Sequence, residues 1–228
     1  MLYTPESAKA NIRNREGKRV FYLGENDRLT ASAQEYLNRE DIAILPASQA
    51  RPEQYRLPGG GFVTEKPEHM THLNAQVLVP KTHPRIAFRG AMDTLEAELL
   101  LCQLSAGEAL REQLEQVLQL ARNIIRWDVL EEPAQEQLLC GMTAGQLRER
   151  SHRPQDFYGQ PHFMPSAEDG AVILQLNRAR CAARDAELKA VAAFTDREGA
   201  PTREDLLTVL NRMSSMLYIL MIQEKAKK

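Results

Sequence analysis

The stretch from residue 66 to residue 101, KPEHMTHLNAQVLVPKTHPRIAFRGAMDTLEAELLL, gathers side chains able to hold an anion. Three of the five histidines (His69, His72 and His83) fall within it, together with Lys66, Lys81, Arg85 and Arg89. The stretch begins as a polar loop, passes the apolar run Val77–Val79 and enters an amphipathic helix near Pro84. Free backbone N–H groups and the helix dipole both favour negative charge at a helix N-terminus. Cations converging there form a candidate phosphate or carboxylate site. A solvated loop leading into a bundle helix has the same composition, and residue types alone leave both readings open.

A second set of polar groups recurs at helical spacing. Arg85, Arg89, Asp93 and Glu96 follow one another at i, i+4, i+8 and i+11. Asn177, Arg180, Arg184 and Glu187 share a face further on, and Asn211, Ser214 and Tyr218 share another. Buried alone, each charged member costs free energy. They either pair as structural bridges or line a cleft for a charged ligand. Aromatic residues concentrate in SHRPQDFYGQPHFMP, which carries His152, Phe157, Tyr158, His162 and Phe163.

Other chemistries find less support. His69 and His72 are three apart in a loop without cysteine, and His152 and His162 are ten apart in another. Neither pair has zinc-site spacing, so no metal ligand is assigned. Cys102, Cys140 and Cys181 are odd in number and form no C-x-x-C pair, which suits a reducing compartment. There is no nucleophile elbow. The glycines at 59–61 match neither a Walker loop nor a dinucleotide fingerprint. A net charge of −2, with bases alternating with acids, supplies no field for nucleic acid or an anionic membrane surface. The N-terminal 15 residues lack the apolar core of a signal peptide, and no uninterrupted run is long enough for a membrane helix.

The elements that must position these groups are mostly helical. Leu, Ala, Glu, Gln and Arg are common, and aromatics are only 6% of the 228 residues. Thr4-Pro5-Glu6 opens a short helix to about Arg15, Arg19–Leu23 is an expected strand, Thr30 caps a second helix, and Asp41–Leu45 is a second expected strand. Arg51–Gly61 reads as a linker. Four long helices follow. The first runs from Pro84 to about Leu104 with the stripe Phe88, Met92, Leu95 and Leu99; the second spans Glu108–Val129. Two short helical pieces, around Glu136–Cys140 and Ala144–Glu149, precede the aromatic loop. Ser166 caps the third long helix, with Asp169 at the capping-box position, and this helix reaches about Phe194. Thr202 caps the fourth, and the tail EKAKK reads as a frayed, solvated end. The expected fold is mainly α: an antiparallel four- or five-helix bundle over residues 61–228, preceded by a small α/β extension over residues 1–60.

The pattern resembles the cobalamin adenosyltransferases, closest to the ethanolamine-utilisation type. The matching residues are Lys66-Pro67-Glu68, Thr71-His72-Leu73, Lys81, Pro84-Arg85, Phe88-Arg89 and Asp93. Further matches are Asn123-Ile124 with Arg126, Glu132-Pro133, Ser151-His152, His162 with Pro165, Arg184 with Ala186-Glu187, and Leu210-Asn211-Arg212 with Ser214-Ser215. A more distant similarity to the propanediol-utilisation type runs through Thr71, Leu73, Val79, Lys81, Pro84-Arg85, Gly90, Asp93, Leu95 and Asn211-Arg212-Met213-Ser214. Two departures stand out. The His and Cys-Cys-x-x-Cys cluster that the ethanolamine type often carries before K-P is missing, because residues 54–65 contain no cysteine. The glycine-rich T-x-T-G-D loop of the propanediol type is replaced by residues 64–70.

The resemblance implies transfer of the 5′-deoxyadenosyl group of ATP, with Mg²⁺, to the cobalt of reduced cobalamin. It implies Arg184, Asp93 and Asn211 in the catalytic set. It implies Lys66, Thr71, His72, Lys81, Arg85, Glu187, Arg212 and Phe163 in binding, with Phe163 on the corrin-facing wall. It also implies a cytoplasmic homotrimer with sites between subunits, and as partners a cobalamin-dependent enzyme or a bacterial microcompartment. The rival expectations are a non-catalytic protein of the same fold that binds and delivers adenosylcobalamin, and a plain structural trimer.

Overall fold

A computed structural model describes residues 1–15, 17–50 and 54–227. The chain divides into two units, Met1–Gln54 and Tyr55–Lys228. In the first, β1 (Leu2–Tyr3) leads into α1 (Pro5–Ala10), whose N-cap Thr4 and Ser7 form a reciprocal capping box. The expected helix to Arg15 stops at Ala10. Asn11 folds its side-chain amide back onto the Ser7 carbonyl (2.8 Å), and the chain then enters β2 (Ile12–Arg15). That strand pairs antiparallel with β3 (Lys18–Leu23), Ile12 opposite Phe21. After β4 (Arg28–Leu29), which pairs parallel with β1, helix α2 (Ala31–Arg39) crosses to β5 (Ala43–Pro46), which lies parallel to β3. A 3₁₀ turn follows at Ala47–Gln49. Phe21, Ala33, Leu37, Ile42 and Ala8 bury one another in a small core of this unit.

Of the expected linker 51–61, residues 51–53 lie outside the described residues, and the rest is ordered differently from a linker. β6 (Tyr55–Arg56) and β7 (Phe62–Val63) form a hairpin, with Gly60 and Gly61 at positive φ in its turn. A second hairpin pairs β8 (Met70–His72) with β9 (Leu78–Pro80) and buries Met70, Leu78 and Val79.

The bundle consists of α3 (Pro84–Ser105), α4 (Glu108–Val129), α7 (Gly170–Ala193) and α8 (Glu204–Ala226), with short helices α5 (Ala144–His152) and α6 (Pro154–Tyr158) between the second and third. The turn at Ala106-Gly107 reverses the chain, and Arg111 donates to the Gln103 and Ala106 carbonyls left over at the end of α3. The apolar stripes meet as the helical period requires. Phe88, Met92, Leu95 and Leu99 of α3, Leu114, Ala121 and Ile124 of α4, and Leu206, Leu210, Met213, Leu217 and Leu220 of α8 are fully buried in one core. α7 contributes small residues, Ala179, Ala183, Ala186 and Ala190, all fully buried. A stripe without long side chains lets neighbouring helix axes approach closely.

Three other expectations are corrected. Residues 136–140 are not helical: Cys140 takes a positive φ (50°), its N–H donates to Gln116 Oε1 (3.1 Å), and Leu139 bridges Met142. Thr202 does not cap α8. Its hydroxyl donates to the Phe194 carbonyl (2.9 Å), and Arg203 occupies the cap position. The tail is not frayed up to Ala226: α8 continues to that residue and Lys225 pairs with Asp169. α8 passes the length and mean-hydropathy test for a membrane helix although Asn211-Arg212 interrupts its apolar run, and half of the relevant window is buried inside the bundle.

Candidate functional site

The cationic stretch folds into the β8–β9 hairpin and the first turn of α3. His83 caps the helix, its Nδ1 accepting from the Arg85 backbone N–H (3.2 Å), and Pro84 takes the first helical position. Desolvation, with Arg85 and Arg89 nearby, pushes the His83 imidazole below its ordinary range, which keeps it neutral and able to accept that bond. Lys81 stands two residues before the cap, half exposed, with its ammonium 3.0 Å from Glu68 Oε1. That bond, and then the charges of Lys81 and Lys66, hold the Glu68 carboxyl below the usual carboxylate range. Lys66 is exposed in the same loop. Thr71 pairs with Val79 across the hairpin, and His72 lays its ring edge-on against Tyr55, centroids 5.0 Å apart.

Arg85 has a different occupation from the anion ligand that the sequence suggests. Its Nε donates to Asp128 Oδ1 (2.9 Å) and its Nη2 to the Asp128 carbonyl (2.7 Å). Arg89 Nε donates to Asp128 Oδ2 (2.6 Å), and its Nη2 reaches the Leu73 carbonyl (2.9 Å). Asp128 is fully buried. Two guanidiniums on one buried carboxylate therefore tie the hairpin, the start of α3 and the end of α4 together. Sequence reasoning missed Asp128. The available signal was an acid beside Trp127, one turn beyond the apolar Ile124, at a helix end where a carboxylate is unfavourable to the dipole without a partner.

A separate polar seam lies between α7 and α8. Asn211 Nδ2 donates to Glu187 Oε1 (2.7 Å), and the Arg212 guanidinium donates to Asn211 Oδ1. Desolvation lowers the Arg212 pKa, with Arg148 adding to the effect and Glu187 opposing it. Arg212 also borders a cavity of about 370 Å³ lined by Leu120, Ala134, Leu147, Asp205 and Val209 among others. Arg184, one turn before Glu187, is exposed, as is Asp93 on α3; among the described residues neither has a hydrogen-bond or ion-pair partner. Further along α8, Arg180 lies over the Tyr218 ring (5.4 Å to the centroid) and Lys225 over the Phe163 ring (5.6 Å).

The structure thus gathers most of the expected residues into two groups and leaves Arg184, Asp93 and Phe163 outside both. Lys66, Thr71, His72, Lys81 and Arg85 gather at the head of α3; Glu187, Asn211 and Arg212 interlock on α7 and α8. Among the described residues no hydrogen bond or ion pair joins the two groups, and no cluster of three or more His, Cys, Asp or Glu side chains forms a metal-binding set.

The class these features define is a mainly helical bundle with a cationic hairpin at one helix start and a polar seam between its last two long helices. The sequence profile of the cobalamin adenosyltransferases matches residues 62–224, and the chain belongs to that family, whose members are transferases. It is 34% identical over 165 residues to the corrinoid adenosyltransferase EutT of Salmonella typhimurium, covering 72% of this chain and 62% of that protein. It is 30% identical over 247 aligned positions to the corrinoid adenosyltransferase EutT of Escherichia coli K12, covering 96% of this chain and 91% of that protein. A variant of a PduO-type ATP:corrinoid adenosyltransferase from Lactobacillus reuteri, solved with cobalamin and ATP, shares the fold. Its TM-score is 0.50 and its identity 19%, over 77% of this chain and 88% of that one.

Proposed function

We propose that this chain transfers the 5′-deoxyadenosyl group of ATP to the cobalt of reduced cobalamin, releasing triphosphate. The observation that carries the reading is the exposed Lys81–Glu68 pair at the head of α3, beside Lys66, in a chain of the cobalamin adenosyltransferase family. Reduced cobalamin is itself a strong nucleophile. The protein is left to align cobalt with C5′, to neutralise the leaving triphosphate and to keep water away. Lys81 and Lys66 supply positive charge beside the start of α3, where the helix dipole also favours an anion. Arg184, which has no partner among the described residues, is available to a ligand or a neighbouring subunit. Asn211, positioned by Glu187, offers a neutral donor and acceptor. Arg85 serves as a tie, holding the hairpin through Asp128. Half-buried Phe163 supplies apolar surface for the corrin face.

Mg²⁺ arrives with the nucleotide. It takes oxygen ligands from phosphates, water and one or two carboxylates, and the free carboxylate of Asp93 fits that donor set. We place the reaction in the bacterial cytoplasm, in a homotrimer with sites between subunits, supplying adenosylcobalamin to a cobalamin-dependent enzyme of ethanolamine breakdown. We assign the catalytic role to the unit Tyr55–Lys228, both hairpins included, with Met1–Gln54 as the extension.

The test is anaerobic incubation with ATP and cob(I)alamin, following the corrin spectrum. Conversion to adenosylcobalamin is expected; product binding without turnover would make the chain a delivery protein instead. Lys81→Ala is expected to weaken ATP binding about tenfold to a hundredfold, the loss of one charge-assisted hydrogen bond. Glu68→Gln, which frees the ammonium, should tighten it. Unchanged ATP affinity in both variants, read by calorimetry, would remove the triphosphate from this hairpin.

A further inference from the structure

The aromatic segment between α6 and α7 has no regular structure from residue 159 to residue 166, yet it is pinned at two points along one face of α8. At the first, His162 Nδ1 and the Tyr218 hydroxyl are 2.8 Å apart, with the two rings stacked at 5.7 Å. His162 Nε2 lies 3.2 Å from the His152 carbonyl. A carbonyl only accepts, so Nε2 carries the proton of the neutral ring and Nδ1 accepts from the Tyr218 hydroxyl. Both ring nitrogens are therefore committed in one tautomer. At the second point, Lys225 pairs with Asp169, which also accepts from the Ser166 backbone N–H (2.7 Å). Tyr218 and Lys225 are seven residues apart, two helical turns on the same face and roughly 10 Å along the axis. Phe163 sits between the two anchors, its ring under the Lys225 ammonium. Met164 beside it is almost fully exposed.

We infer that His162 and Tyr218 are positioning residues: together they latch this segment to α8 and so fix where Phe163 stands toward the corrin. Without the first anchor, these eight residues rely on the Asp169–Lys225 pair and on the packing of Phe163 against the bundle core, and the backbone beside Phe163 gains freedom. Arg180 holds the opposite partner in place, because its guanidinium lies on the Tyr218 ring. Burial raises the Tyr218 phenol above its ordinary range, with the Phe163 backbone N–H and Arg180 opposing the rise, so the hydroxyl stays protonated and able to donate at neutral pH. The functional half of the inference rests on the proposal that the corrin meets Phe163.

Tyr218→Phe removes the hydroxyl but keeps the ring beneath Arg180, so the variant should fold; its thermal transition checks this. Hydrogen exchange of residues 157–166 in the full chain without ligand should accelerate. The KM for cob(I)alamin should rise about two- to tenfold, the worth of one neutral hydrogen bond, with the KM for ATP unchanged. His162→Ala should do the same, whereas His162→Gln, whose amide both donates and accepts, should restore most of the protection. Unaltered exchange in both Tyr218→Phe and His162→Ala overturns the latch whatever the kinetics. Faster exchange with an unchanged cobalamin KM overturns the placement of the corrin on this segment, while the latch itself stands.

Discussion

Asp128 shows how much a single buried charge decides at the residue scale. Two charge-assisted hydrogen bonds converge on its carboxylate and a third on its carbonyl, from two arginines that the sequence places in one stripe. Removing one partner of such an arrangement leaves uncompensated buried charge. Asp128→Ala should therefore destabilise the bundle by about 3–5 kcal/mol, read by urea denaturation. A loss under about 1 kcal/mol would show that water already screens the arginines. His83 gives a pH-dependent prediction. Its pKa is lowered in the folded chain, so between that lowered value and the ordinary 6.5 the unfolded chain binds more protons. The contribution is complete above about pH 6.5 and is lost as pH falls through the folded value. His83→Asn keeps a side-chain acceptor at the cap without titrating in this range, so it should flatten the decline in Tm between pH 6.5 and 5. An identical pH profile in the variant would assign the decline to other groups. At this scale the sequence displayed the cations but not their partners. Arg85 and Arg89 looked equally available to an anion until Asp128, 39 residues beyond Arg89, claimed both.

At the scale of elements, the long helices were legible because burial on one face writes a 3.6-residue period into the chain. Phe88, Met92, Leu95 and Leu99 are all fully buried, as that period requires. The short pieces were less legible, since their conformation depends on distant contacts. Residues 136–140 carry acceptable helix formers, yet the bond from the Cys140 N–H to Gln116 and the positive φ there keep them out of a helix. Arg15 likewise looked like the end of a helix, but pairing of Ile12 with Phe21 drew residues 12–15 into a strand. The alanine stripe of α7 invites a test. Ala183 is fully buried in the bundle core. Ala183→Leu is expected to cost about 1–3 kcal/mol through overpacking. A variant as stable as the parent would mean that α7 can shift outward freely.

At the scale of the molecule, Arg184 and Asp93, exposed and without partners among the described residues, lie on helices otherwise built for burial. In the proposed trimer they meet a neighbouring subunit or the nucleotide between subunits. Light scattering should give three times the 25.8 kDa chain mass, and Arg184→Ala should loosen the assembly and lower activity together. A fully active monomer would defeat that arrangement. The sequence by itself determined the helical bundle, the order of its stripes and, through matches spread over four helices, the family. These properties are carried by local periodicity and by residue types at set spacings, which survive without coordinates. The tertiary structure alone decided which polar groups neutralise one another. It committed Arg85 to Asp128, Asn211 to Glu187 and His162 to Tyr218, and it left Arg184 and Asp93 without partners among the described residues. The physical reason is that a charge or hydrogen bond is satisfied by whatever lies within about 3 Å in space, and separation along the chain says little about that distance.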